Sequence, residues 1–95
     1  MAGKEAWDDA GYDECLRAER EAYAWVMRSH GRMTPSQANE AALRRYPYEP
    51  PGTPYRGLTF HDEAWHWAML DLQGPQYWVN RPDLLDPPEE YRALG

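Results

Sequence analysis

His61 and His66 bracket the stretch HDEAWH, which looks like HExxH, the helical signature that presents two histidines to zinc. That chemistry needs the histidines at i and i+4, about 40° apart around the helix, so that both reach one ion. Here they are five apart, which on a regular helix separates them by about 140°. No third ligand stands at a rescuing spacing. The sequence therefore predicts no metal site, and no cofactor motif accompanies it. Asp62 and His66, at i and i+4, are expected to pair on a polar strip, and His61 to sit half-buried beside Trp65.

Glu19 is the second chemically suggestive residue. It falls inside an apolar helical face, between Cys15, Leu16 and Tyr23. Burial raises the pKa of an unpaired carboxyl, and a general acid can have that character. A hydrolase built on Glu19 would need a pocket joining it to His30, His61 or His66. No second carboxylate is spaced to assist it, so the favoured reading is a structural acid bonded to a tyrosine, a tryptophan N–H or an arginine. Cys15 lies among apolar residues, where a thiol is normally inert. There is no nucleophile elbow and no phosphate-binding glycine loop. The chain is expected not to be an enzyme.

The third candidate is a surface. The segment RRYPYEPPGTPYRG places Arg44, Arg45, Tyr48, Tyr55 and Arg56 in and beside a proline-rich loop. Tyr and Arg dominate binding hot spots, and prolines limit the entropy lost on docking. These five residues are the expected partner-binding set. The alternative is that the tyrosines only cover the core.

Charge bears on the partner. The net charge of −6 disfavours nonspecific binding to nucleic acid or an anionic membrane. Residues 28–58 hold five basic and two acidic side chains, between acid-rich flanks. A nucleic-acid module using residues 28–56 is therefore the runner-up function, with its Arg–Tyr mix stacking single-stranded bases. The first choice is a small acidic protein-binding module, an adaptor or inhibitor. Phage-encoded inhibitors include small acidic helical domains of this general kind, an analogy of class only.

Ninety-five residues make one domain with a thin core. A single cysteine allows no internal disulfide, which suits a reducing compartment. The opening MAGKEAWDDAGYDE lacks the apolar run of a signal peptide, and no stretch approaches the ~20 apolar residues that span a bilayer. The expected location is cytoplasmic.

Four helices should position these residues, at about 9–30, 35–46, 60–73 and 87–94, with the loop at 47–58. Tyr12, Leu16, Tyr23, Val26 and Met27 share one face of the first helix, and Gly31 is expected to end it in a left-handed turn. Asp13, Arg17 and Glu21 form an i,i+4 ladder on its wet side. TPSQ marks the second helix, with Thr34 as N-cap, Pro35 at N1 and Gln37 completing a capping box; Glu40 and Arg44 can pair outside. Thr59 and Asp62 are read as the start of the third helix, and Gly74-Pro75 as its end. Trp65 and Trp67 should be buried on different sides of it, making it the central helix. Gln76 to Val79 suits a helical turn or a short extended piece. Asp86-Pro87-Pro88-Glu89 marks a last short helix, pinned by Leu84, Leu85, Tyr91 and Leu94. Nothing alternates with a strand period, so the predicted fold is an all-α bundle of three main helices plus a short C-terminal one.

Overall fold

The computed structural model describes residues 7–94; Met1–Ala6 and Gly95, with the parts of the N-terminal and single-domain expectations that fall on them, lie outside the described residues. The fold is all-α: α1 (Asp9–Ser29), α2 (Pro35–Arg45), α3 (Ala64–Gln73), and the short α4 (Tyr77–Asn80) and α5 (Glu89–Arg92). Single 3₁₀ turns cover Leu58–His61 and Pro82–Leu84, and no strand occurs among the described residues.

At 1.5 Å per residue, α1 is roughly 31 Å long and packs against both α2 and α3. Its predicted face is its buried face: Tyr12, Leu16, Tyr23, Val26 and Met27 are all at most 5% exposed. Asp8 caps it by accepting the Gly11 N–H at 2.6 Å. Gly11 leaves room for that cap: an added Cβ would lie 2.8 Å from the Asp8 carboxylate oxygen, which would have to shift.

The stop of α1 differs from the prediction. Arg32, not Gly31, takes the left-handed conformation, with φ of 59°. Gly31 matters for space instead: a Cβ there would come within 2.7 Å of the Met27 carbonyl and 2.9 Å of Leu72.

In α2 the capping box forms as read: Gln37 N–H donates to Thr34 Oγ1 at 3.1 Å, and Thr34 N–H to Gln37 Oε1 at 3.0 Å. Ala38, Ala41 and Ala42 form its buried face. The outward ladder Asp13–Arg17–Glu21 and the pair Glu40–Arg44 are exposed, and none of them closes an ion pair among the described contacts. Exposed pairs of this kind contribute little.

The third helix starts later than its sequence signature suggests. Leu58–His61 form a separate 3₁₀ turn, Asp62 is extended, and α3 begins at Ala64. A continuous helix would need the Thr59 carbonyl to accept from the Glu63 N–H; that carbonyl instead accepts the Trp67 indole N–H at 2.9 Å. Phe60 turns away to pack on Trp7, Tyr12 and Tyr46. Once formed, α3 buries Ala64, Trp65, Ala68 and Met69, whereas Trp67 is only half-buried.

Glu63 supplies no side-chain cap for α3. The Trp65 N–H donates to the Tyr91 hydroxyl at 3.2 Å instead, so an α5 residue reaches back to satisfy the α3 start. The helical turn forms at Tyr77–Asn80, after a left-handed Gln76, with Tyr77 buried. The last helix is capped at Pro88 rather than Asp86. Leu84 and Tyr91 pin the tail to the core, while Leu85 and Leu94 are exposed. The Trp65 indole donates to the Leu84 carbonyl at 2.8 Å and ties that tail to the centre.

Candidate partner-binding surface

The proline-rich segment is held at its base. Tyr46, the C-cap of α2, is 1% exposed, and Arg20 of α1 donates twice to its carbonyl, at 2.9 and 2.6 Å. The Glu49 N–H donates to the Tyr12 hydroxyl at 2.8 Å. On the returning side, Arg56 Nε donates to the Glu49 carbonyl and Gly57 N–H to Glu49 Oε1, both at 2.8 Å. Residues 50–55 project from this clasp as turns, marked by bonds from Thr53 to Pro50 and from Arg56 N–H to the Thr53 carbonyl.

This clasp divides the five predicted contact residues. The Arg56 side chain is 8% exposed; its guanidinium lies over the Tyr12 ring, 4.0 Å from the centroid, and it belongs to the fold. Arg45 is bound to the Asp71 carboxylate through two nitrogens and lies over Trp67. The Tyr23 hydroxyl donates to the same carboxylate at 2.5 Å, and burial with that hydrogen bond pushes the Tyr23 pKa well up. Arg44 is exposed beside a shallow depression containing Met27, Met33 and Leu72. Tyr48 is half-exposed on another side, edge-on to Tyr12, in a groove of about 390 Å³ between α1 and α2. Tyr55 stands 82% exposed at the loop tip.

Leu43 belongs with Tyr48. It is 54% exposed and lines the same α1–α2 groove. The sequence signal was present, since Leu43 is the apolar residue that falls outside the Ala38–Ala41–Ala42 face.

The histidines do not share a helix. His61 is exposed in the 3₁₀ turn rather than half-buried, and His66 lies in α3. His66 Nδ1 is 3.2 Å from the Tyr77 hydroxyl, which takes the place expected for Asp62. Among the described residues no group of three or more His, Cys, Asp and Glu side chains is arranged to hold a metal ion.

Glu19 faces a groove of about 700 Å³ between α1 and α5, and none of the three histidines lines it. Its Oε1 is buried without a hydrogen-bond partner, as is the Tyr46 hydroxyl. Burial raises the Glu19 pKa and the nearby Glu63 charge adds to that, while the Ala64 N–H and the Tyr46 hydroxyl oppose it. The tyrosine hydroxyl is thus near enough to favour the carboxylate yet outside hydrogen-bonding geometry. Cys15 is pushed up mainly by burial and then by Glu19.

No helix among the described residues is long and apolar enough to cross a membrane. No protein-family model, curated protein or solved structure matches the chain.

Proposed function

We propose that the protein is a non-catalytic protein-binding module, an adaptor or inhibitor acting in the cytoplasm, and that it meets its partner through Tyr55, Tyr48 and Leu43. Tyr55 carries the proposal. Among the described residues it is the most exposed of the large apolar side chains, and its backbone sits in the left-handed region with φ of 58°. That conformation costs a non-glycine residue about 1 kcal/mol or more, and the ring is left 82% exposed among the described residues. The clasp of Glu49, Arg56 and Gly57 holds the loop before any partner arrives, which limits the ordering cost of docking. The nucleic-acid alternative is weakened because Arg45 and Arg56 are engaged within the fold.

The test begins with a partner captured from the native host and purified. Tyr55→Ala and Tyr48→Ala should each weaken its binding by about 1–2 kcal/mol, with little change in melting temperature. Unchanged affinity in both variants would refute the assignment. A steep loss of affinity with salt, traced to bound nucleic acid, would favour the alternative.

A further inference from the structure

Glu19 lines a groove and carries a polar atom that the fold leaves unused. One Glu19 carboxylate oxygen is buried without a partner. Behind it lies the Tyr46 hydroxyl, also unpartnered, on a side chain 1% exposed. Orphaned buried polar atoms are costly, and the Glu19 side chain that carries one of them also lines an open concavity. Glu63 adds a second negative charge close enough to raise the Glu19 pKa.

The groove's volume of about 700 Å³ falls within the range of ligand pockets. Trp25 and Tyr91 line it, with their ring centroids 6.5 Å apart. Ala18 and Ala22 keep the α1 side low. Arg28 and Arg92 also border it but are exposed, and neither forms an ion pair with Glu19 or Glu63 among the described contacts.

We propose that this groove receives the guanidinium of a single arginine on a partner polypeptide. Glu19 and Glu63 accept its hydrogen bonds, and it lies beside the Trp25 ring, which is tilted 55° against Tyr91. A guanidinium suits such a site better than an ammonium: it is planar, more weakly hydrated, stacks on aromatic faces and offers several donors to carboxylates. Arg28 and Arg92 repel a run of basic residues, so the arginine should have neutral or acidic neighbours. The protein-binding reading enters only in making the arginine part of a polypeptide. The groove adjoins the Tyr48 groove at Glu21 and Asn39 but is lined by neither Tyr48 nor Tyr55, and is tested separately.

The probe is acetyl-Ala-Arg-Ala-amide, titrated at neutral pH while the Trp25 indole N–H is followed by NMR. Its control is the same peptide with citrulline, which keeps the shape and removes the charge. The arginine peptide should give a saturable Trp25 shift, and citrulline should weaken binding by about tenfold or more, the loss expected for a charge-assisted hydrogen bond. Glu19→Gln should produce a similar loss, while the Trp65 indole resonance, hydrogen-bonded to Leu84, reports that the fold is intact. Ala18→Leu, at an exposed position beside the groove, should also weaken binding without altering charge. Tyr48→Ala should bind the probe like the parent, so failure of the loop assignment would leave this titration unaffected. Absence of a Trp25 shift, equal binding of both peptides, or undiminished binding to Glu19→Gln would overturn the proposal. Free arginine binding as tightly as the peptide would overturn the polypeptide assignment.

Discussion

Trp65 and Trp67 lie two residues apart on one helix, yet truncating them should have unequal effects. Trp65 is 2% exposed, packs against His30 and Tyr91, and holds the Leu84 carbonyl through its indole. Trp65→Ala removes nearly all of a large buried side chain, a change that costs about 3–5 kcal/mol. The total stability of a domain this size is roughly 5–14 kcal/mol. Trp67 is half-buried. Its truncation gives up one indole hydrogen bond, of about 1 kcal/mol, and a contact with Arg45 of about 0.5–1 kcal/mol. Partial loss of ring burial brings the Trp67→Ala cost to about 2–3 kcal/mol. Each kcal/mol moves the melting temperature of a small domain by about 4–8 °C, so the mid-range difference of about 1.5 kcal/mol should leave Trp65→Ala melting roughly 6–12 °C below Trp67→Ala. Urea unfolding followed by far-UV circular dichroism measures both, and a shared m value would confirm that the same surface unfolds. Equal losses, or a larger loss for Trp67→Ala, would refute the placement of Trp65 at the junction of core and tail.

Glu19→Gln should stabilise the protein near neutral pH. The folded-state pKa of Glu19 is raised above 4.5, first by burial and then by Glu63, so the fold favours the protonated acid. The stability this group contributes is fully present below the unfolded pKa and is lost as pH rises through the folded one. Denaturant titrations from acid to neutral pH should show that loss in the parent and a flatter profile in Glu19→Gln; parallel profiles would contradict the burial of this carboxyl. Gly31→Ala should destabilise by about 1–3 kcal/mol through overpacking, because the new Cβ meets the immobile Met27 carbonyl as well as Leu72. Thermal melts showing a gain, as expected at an unhindered glycine, would disprove that close approach.

The helical class, the buried face of α1, the capping box of α2 and the stop at Gly74 followed from the chain itself. Each depends on residues within a turn or two: the 3.6-residue period groups Tyr12, Leu16, Tyr23, Val26 and Met27, and Thr34 meets Gln37 three residues on. The expected conformation at Gly31 was the local exception, since both a left-handed turn and a close approach select glycine.

Tertiary structure decided which groups those elements spend on one another. Thr59 and Asp62 have the spacing of a helix start, but the Trp67 indole takes the Thr59 carbonyl and the helix waits until Ala64. Arg45 and Arg56 have the composition of a binding surface, but Asp71, Glu49 and Tyr12 occupy them. Arg44 and Tyr48 are close in sequence, yet the chain's exit from α2 sends them to different depressions. Glu19 was recognisable as an acid on an apolar face, and only packing places it near Tyr46 and in a groove bordered by α5. These outcomes depend on partners far away along the chain, such as Asp71 for Arg45, and local spacing carries no record of which distant donor or acceptor will arrive first.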